Sequence, residues 1–291
     1  MKHLLFPIAL VLTLAPRSAA ALPAPGSEAI PVIDAHTHPE FAGKPERRAE
    51  YMRQWKSAGL AGAVGILHTH DGTTPDDLPG RVVYCAGMMG AIDAARLEEG
   101  LRAGRYGCIK IYLGYEPYFA SDPRYAPVYE LAEKYDVAVV FHTGDTDRAT
   151  AHLKYADPLT VDEIAVAHPK VRFVIAHCGN PWIESAAEVA YKNPNVWLDG
   201  SAFLVGDVSK HSREQVETYM IRPLRWIFGY IENPSKLMFA SDWPVTNIPA
   251  YLAAFKRAIP RKHWRAVLHD NAAHVFRFDR PPPRATAPAG S

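Results

Sequence analysis

The sequence has little cysteine and almost no net charge. Cys85, Cys108 and Cys178 are its only cysteines. Three scattered cysteines are too few for a disulfide framework or a cysteine-based zinc site, and we expect buried thiols. Lysine and arginine number 32 against 31 aspartates and glutamates. This balance predicts no basic surface for nucleic acid or for anionic membranes.

The sequence also has no apolar run long enough to cross a bilayer, which takes about 20 residues. The apolar run near the start, residues 4–15, follows Lys2 and precedes three consecutive alanines, 19–21. A positive start, a short apolar stretch and small residues at the end are typical of a secretory signal peptide. We therefore predict a signal peptide over residues 1–21 and an exported protein, periplasmic or secreted. No membrane contact is expected after cleavage.

The remaining chain has the composition of a folded globular protein. Hydrophobic residues make up 48% of the sequence and charged residues 22%, which excludes a mainly disordered chain. The end of the chain, residues 279–291, is rich in proline and small residues and cannot build a core. The predicted domain, residues 22–278, has close to the roughly 250 residues typical of a (β/α)8 barrel.

Eight short apolar runs recur along this domain, spaced on average by about the length of a βαβ unit. Their hydrophobicity is continuous rather than alternating, as parallel strands covered on both faces require. The pattern favours an α/β fold, a single-domain (β/α)8 barrel, over an open doubly wound sheet. The predicted strands are Pro31–His38, Gly62–Thr69, Arg81–Ala86, Gly107–Leu113, Val137–Thr143, Val171–Cys178, Val196–Ser201 and Lys236–Ser241.

Helical patterns separate most of these strands. The segment after the second strand, Asp71–Gly80, is too short and too rich in threonine, proline and glycine for a full helix. The predicted helices are Pro45–Ser57, Ala91–Ala103, Pro123–Tyr135, Pro181–Lys192, Ser212–Tyr230, Ile248–Ile259 and Arg261–Phe276.

The polar residues that interrupt the strand pattern lie at the carboxyl ends of strands, where barrels build their active sites. His36 and His38 are two apart, so both side chains can project to one face and bind one metal. His68 and His70 form a second H-x-H pair, and spacing alone does not separate the two. Asp34 favours the first pair because it is placed to orient a ligand.

Seven segments together resemble one known family: VIDAHTHPE, GCIKIYLG, VVFHTGD, FVIAHCGNPW, VWLDGS, LMFASDWP and DNAAHVF. They are similar to the amidohydrolase-related branch of the metal-dependent amidohydrolase superfamily. That branch contains aminocarboxymuconate-semialdehyde decarboxylase, resorcylate decarboxylases and pyrone dicarboxylate lactonase. The resemblance runs from Ile33 to about Phe276. It implies a distorted barrel with a metal at the carboxyl rim.

The resemblance also implies residue roles. His36, His38, His142 and Asp242 match metal ligands, and Asp242 also handles a proton. His177 matches a histidine that assists catalysis in one-metal members and binds the second metal in two-metal members. The implied cofactor is a divalent metal, most simply Zn²⁺, which lowers the pKa of bound water and so activates it near neutral pH.

Lys110 lies in the fourth predicted strand, where two-metal relatives carry a carboxylated lysine. Carboxylation would let Lys110 bridge two metals, with His142 and His177 holding the second. An unmodified Lys110 would instead face an anionic substrate. We favour the unmodified lysine and one metal per chain.

Three functions remain open at this stage. A hydrolase of an ester, lactone or amide in a small carboxylated or cyclic substrate is favoured. A metal-dependent decarboxylase of an aromatic or unsaturated acid is the second, and an exported binding protein without turnover is the third. The expected partner is a small-molecule substrate, and self-association is left open. Four residues are predicted to line the substrate pocket: His68, Tyr112, Trp182 and Trp243.

Overall fold

The computed structural model describes residues 30–69, 74–75 and 77–280. Eight parallel strands follow one another around a single sheet in sequence order. The barrel prediction is therefore confirmed, and the open doubly wound alternative is wrong. The predicted signal peptide, His70 and residues 281–291 of the predicted tail lie outside the described residues. The strands are β1 Val32–Thr37, β2 Leu60–Ile66, β3 Arg81–Gly87, β4 Cys108–Tyr112, β5 Ala138–His142, β6 Phe173–Ile175, β7 Val196–Asp199 and β8 Leu237–Met238.

Backbone hydrogen bonds close the barrel between β1 and the segment that follows β8. The Ala35 amide donates to the Phe239 carbonyl at 3.0 Å, and the Asp242 amide donates to the His36 carbonyl at 2.8 Å. The His38 amide donates to the Trp243 carbonyl at 2.7 Å. These bonds continue past the end of β8, which is only two residues long. They fix Asp242 beside the H-x-H pair of β1.

Helices cover the outside of the barrel. Gly59 ends α1 in the left-handed conformation at φ 65°, which glycine adopts at little cost. The Asp93 carboxylate caps α2 by accepting from the Arg96 amide. The helices are α1 Pro45–Ala58, α2 Ala94–Arg102, α3 Ala126–Tyr135, α4 Thr160–Ala167, α5 Ile183–Lys192, α6 Arg213–Val216, α7 Arg222–Tyr230, α8 Ile248–Ala258 and α9 Asn271–Val275.

One of three helical segments agrees with the sequence prediction and two differ from it. No helix lies between β2 and β3 in the described residues, as the composition of that segment predicts. Helix α4 is an eight-residue helix that the pattern analysis does not find. The predicted helix Ser212–Tyr230 consists of α6 and α7 joined by a π-helical turn, Glu217–Ile221. No helix in the described ranges is long and apolar enough to cross a bilayer.

Two of the three cysteines form a disulfide, which corrects the expectation of free thiols. Cys85 and Cys108 are directly opposite each other in the β3–β4 ladder. Their Cα atoms are 4.2 Å apart and both residues are fully buried. Strand register, rather than spacing in the sequence, creates this pair. Cys178 is a buried free thiol.

Replacing both Cys85 and Cys108 by alanine should lower the free energy of unfolding by about 3 kcal/mol. The disulfide closes a loop with a sequence separation of 23, and a crosslink of that span removes loop-closure entropy from the unfolded chain. Urea denaturation of both proteins measures the difference. A reducing agent should destabilise the wild type and leave the double variant unchanged. Equal stability of the two oxidised proteins would contradict the prediction.

Candidate metal centre and active site

The predicted site residues meet at the carboxyl rim of the barrel, around a cavity of about 210 Å³. His36 lies in β1, and His38 follows that strand directly. His142 ends β5, while His177 and Asp242 follow β6 and β8. All five line the cavity. Strands β1, β5, β6 and β8, or the segments that follow them, thus contribute to one site.

His177 and Asp242 have backbones in the left-handed region, at φ 59° and 63°. Non-glycine residues rarely adopt this conformation, and strained backbone of this kind clusters at active sites. The prediction that His177 ends a strand is wrong by two residues, because β6 stops at Ile175. The turn that follows directs the imidazole inward.

Asp34 does not orient the ring of a predicted ligand, contrary to the sequence analysis. Its carboxylate accepts hydrogen bonds from the Ser241 amide at 2.8 Å and the Ser241 hydroxyl at 2.6 Å. It touches His36 only through the backbone amide, at 3.3 Å. Burial raises the pKa of Asp34 to about 7. Asp34 therefore fixes the chain just before Asp242.

Asp199, at the end of β7, takes the orienting role. One carboxylate oxygen accepts from His36 Nδ1 at 2.8 Å. The other accepts from the His177 amide at 2.9 Å and from the Ser201 hydroxyl. Ser201 Oγ lies 2.8 Å from His177 Nδ1. Burial opposes ionisation of Asp199, but His36 and its other partners hold its pKa well below the usual range.

Three hydrogen-bond acceptors converge at the rim. The Asp199 carboxylate and the Ile66 carbonyl can only accept, so His36 Nδ1 and His38 Nδ1 donate to them, at 2.8 and 3.0 Å. A neutral imidazole has one N–H, so each Nε2 is left with a lone pair. These nitrogens lie 3.5 and 3.3 Å from Asp242 Oδ1. With both imidazoles neutral, the arrangement is repulsive unless a metal cation or a proton lies among the three atoms.

His142 does not belong to this group of three. Its Nε2 donates to the Asp145 carbonyl at 2.9 Å, which leaves a lone pair on Nδ1. That Nδ1 faces His177 Nε2 at 3.2 Å. Ser201 gives its proton to Asp199, so His177 donates from Nδ1 and its Nε2 is also an acceptor. The predicted fourth ligand thus faces His177, in a second pair of opposed lone pairs.

The second H-x-H pair is built differently. His68 Nδ1 donates a hydrogen bond to the Glu40 carboxylate, and the His68 ring stacks on the rings of His38 and Tyr112, with centroids 5.2 and 5.9 Å away. Ligating atoms of His38, Glu40 and His68 also lie within 4.8 Å of one another. However, the one acceptor nitrogen of His38 already faces Asp242. His68 and Tyr112 therefore form a wall of the cavity.

Lys110 is 1% exposed and lines the same cavity. Its ammonium nitrogen is buried and has no hydrogen-bond partner. Burial lowers the pKa of Lys110 to about 8, although Asp199 and Asp242 act in the opposite direction. An unpaired buried cation is costly, so Lys110 is a position that an anion or a covalent modification would stabilise.

Both tryptophans predicted to line the pocket lie elsewhere. The Trp243 ring is 2% exposed and packs on Tyr51, with centroids 4.5 Å apart, in the core beneath α1. Its backbone pairs with β1, which turns the indole away from the rim. Trp182 is half-buried at the start of α5 and is not in the cavity wall.

Two arginines that the sequence analysis does not identify also line the cavity. Arg47, in the first turn of α1, lies over the Trp243 ring at 5.5 Å, and its Nε is buried without a hydrogen-bond partner. Arg148, in the loop after β5, lies over the Tyr115 ring at 5.3 Å. Neither belongs to a motif. The only sequence feature that points to these arginines is that each follows a strand with a predicted site residue.

A sequence profile of the amidohydrolase family matches residues 45–278, most of the chain. The chain belongs to the amidohydrolase family. A search of curated protein sequences finds no significant match.

This amidohydrolase is similar in fold to several solved structures. A 2-pyrone-4,6-dicarboxylic acid hydrolase candidate from Pseudomonas putida is 18% identical, with a TM-score of 0.59 over 87% of this chain and 99% of the other. The 5-carboxyvanillate decarboxylase from Sphingomonas paucimobilis is 14% identical, with a TM-score of 0.59 over 86% of this chain and 99% of the other. A manganese-bound dihydroxybenzoic acid decarboxylase from Polaromonas is 13% identical, with a TM-score of 0.62 over 88% of this chain and 99% of the other. These likenesses concern the fold alone.

Amidohydrolases depend on a metal, and the residues of this one fit it. His36, His38 and Asp242 offer ligand atoms within 4.8 Å of one another. Their separations of 3.5 and 3.3 Å match the spacing of about 3.3 Å between ligands on a tetrahedral metal with bonds of 2.0–2.1 Å. Burial lowers the pKa of His38 despite Asp242, so a proton is a poor substitute for the metal.

Proposed function

We propose that the chain is a divalent-metal-dependent hydrolase that acts on an ester, lactone or amide of a small carboxylated or cyclic substrate. The observation that carries this proposal is the convergence of His36 Nε2, His38 Nε2 and Asp242 Oδ1, three atoms able to bind one metal, beside a cavity wall of cationic side chains. Zn²⁺ suits two imidazoles and a carboxylate, and Mn²⁺ is the alternative that the Polaromonas structure supports.

The residues around the cavity would divide the hydrolysis between metal binding, proton transfer and charge stabilisation. A bound divalent metal activates water and polarises a carbonyl oxygen. Asp242 accepts a proton from the attacking water and gives it to the leaving group. His177 stabilises the charge that develops on the attacked oxygen. Asp199 and Ser201 hold His177 in place through hydrogen bonds to its backbone amide and its Nδ1. His142, whose Nδ1 keeps a lone pair but faces His177, is kept as the proposed fourth ligand.

The charges of the cavity wall support an anionic substrate. Lys110 and Arg47 each present a buried nitrogen without a partner, and Arg148 lies at the mouth. The carboxylates in the wall are Asp242, proposed to bind the metal, and Asp147, which accepts from the Tyr115 hydroxyl at 2.9 Å. With a divalent cation bound, the wall is net positive. A substrate carboxylate would pair with Lys110 and orient the scissile bond.

Replacing Lys110 by alanine should raise KM for a carboxylated substrate by about 10-fold or more, because a buried ion pair with the substrate is lost. Metal content should remain near one per chain. Arg148→Ala, at the exposed mouth, is the matched control and should have a smaller effect. Metal analysis and steady-state kinetics measure both.

The same experiment tests the two-metal alternative. The opposed lone pairs of His142 and His177 and the lowered pKa of Lys110 both favour a carboxylated lysine and a second metal. In that case the wild type holds two metals per chain, and Lys110→Ala loses one in a bicarbonate-dependent way. That result would contradict the one-metal proposal.

Decarboxylation is the second candidate, and the solved decarboxylases of similar fold support it. A panel of esters, lactones, amides and aromatic carboxylic acids separates the two reactions. Hydrolysis of an ester or lactone releases one titratable acid per bond cleaved, and hydrolysis of an amide releases an amine, whereas decarboxylation releases CO₂. Binding without turnover of any member would favour the third reading, an exported binding protein.

We also propose that the protein is exported. Residues 1–21 have the pattern of a signal peptide, and the buried Cys85–Cys108 disulfide supports an oxidising compartment. Amino-terminal sequencing of the protein from its native host tests this. A mature chain that still begins at Met1 would contradict it.

A further inference from the structure

The outer surface of the barrel carries an exposed aromatic face on α5 and α7. It consists of four side chains, and each is 41% exposed or more. Tyr219 lies about two helical turns before Trp226, and Tyr230 lies about one turn after it, so these three residues form one stripe along the π-helical segment and α7. Tyr191 of α5 extends the stripe sideways. The aromatic face is Tyr191 (55% exposed), Tyr219 (60%), Trp226 (41%) and Tyr230 (41%).

Three of the four rings of this face are in contact. Trp226 and Tyr230 are nearly parallel, with centroids 5.0 Å apart, and Tyr191 meets Tyr230 edge-on at 5.9 Å. Single exposed apolar residues are normal, but contiguous patches mark interaction sites. Tryptophan, tyrosine and arginine are the residues that contribute most binding energy in protein interfaces. The face therefore has the composition of an interface centre.

Two unpaired charges of opposite sign border the aromatic face. Arg222, at the start of α7, is exposed and has no ion-pair partner within the described ranges. Glu188 of α5 accepts a hydrogen bond from the Tyr230 hydroxyl at 2.6 Å. No cation pairs with Glu188 in the part of the chain that the structure describes. An interface that brings Arg222 of one copy beside Glu188 of the other would pair both charges.

The spacing of these residues is symmetric about Trp226. Arg222 lies four residues before it and Tyr230 four residues after it, about 6 Å along the helix in each direction. Two antiparallel copies of α7 with Trp226 at a two-fold axis would therefore place Arg222 of each copy beside Tyr230 and Glu188 of the other. A two-fold interface requires this self-complementarity, since every contact occurs twice.

We propose that the aromatic face is the centre of a homodimer interface in which a second copy of this chain packs antiparallel on α7. Trp226 of each copy lies on the two-fold axis, with the Arg222–Glu188 pairs on either side. The interface lies on the outer wall of the barrel, so each active site stays complete within its own chain. The proposal does not depend on the proposed hydrolase activity.

Sedimentation velocity on the purified protein over a wide concentration range tests the proposal. The wild type should sediment as a dimer. Trp226→Asp should raise the dimer Kd by about 30-fold or more, as expected for a central aromatic residue. Val166→Asp is the matched control, because Val166 of α4 is 61% exposed and lies outside the face; its Kd should not change.

Charge reversal gives a second test that misfolding would not mimic. Arg222→Glu and Glu188→Arg should each raise the dimer Kd by about 10-fold, since each places like charges together. The protein with both changes should return to within about threefold of the wild-type Kd. A wild type that is monomeric throughout, a dimer that Trp226→Asp leaves intact, or a double variant no better than the single ones would overturn the proposal.

Discussion

His36→Ala should raise the Kd for the divalent metal by at least about 100-fold, so that the protein loses its metal during purification. Loss of an outer partner of a metal ligand already costs about 10- to 100-fold in affinity, and this change removes the ligand itself. It also leaves Asp199 without the imidazole that it orients. Metal analysis after gel filtration, followed by competition titration with a chelator, measures the change.

His68→Ala is the matched control for that variant. His68 is the described member of the second H-x-H pair, and its Nδ1 is paired with Glu40. Its removal should leave metal content near that of the wild type, with turnover altered only through the cavity wall. If His68→Ala lost the metal and His36→Ala retained it, the ligand set would centre on His38, Glu40 and His68 instead.

Asp242→Asn should lower kcat by at least about 10³-fold. The amide keeps an oxygen that can face His36 and His38, but it cannot carry a proton between water and leaving group, and acid–base catalysis contributes about 10²- to 10⁴-fold. A divalent cation bound beside Asp242 would favour its ionised form, because a nearby opposite charge lowers the pKa of a carboxyl group. The wild-type residue is therefore ionised and ready to accept a proton.

Steady-state kinetics and metal analysis on the same preparation separate the two roles of Asp242. The expected result is metal content reduced by far less than kcat. Asp147→Asn is the matched control, because Asp147 also lines the cavity but lies near its mouth and bonds to Tyr115. It should change kcat by less than about tenfold. Full activity in Asp242→Asn would contradict the assigned role in proton transfer.

The sequence predicts the barrel and the place of the site residues at its rim well because both follow from local patterns. Parallel strands buried on both faces read as continuous apolar runs, and polar residues at their carboxyl ends must meet at one rim. His36, His38 and Asp242 are found together in this way. Their convergence follows from topology alone.

Features that depend on side-chain packing are not predictable in this way. Asp34 and Asp199 both end or interrupt apolar strands, yet only the second reaches the His36 ring, because Asp34 is engaged by Ser241. Trp243 follows Asp242 directly, but a left-handed residue before it turns the indole into the core. The Cys85–Cys108 pair depends on the β3–β4 register.

The most direct test of the metal centre is an anomalous difference map from crystals of the metal-loaded protein, recorded at the absorption edge of the metal that it retains. We expect a peak about 2.0–2.2 Å from His36 Nε2, His38 Nε2 and an Asp242 carboxylate oxygen. A peak at Glu40 and His68 instead, or no peak at the rim in crystals of an active preparation, would contradict it.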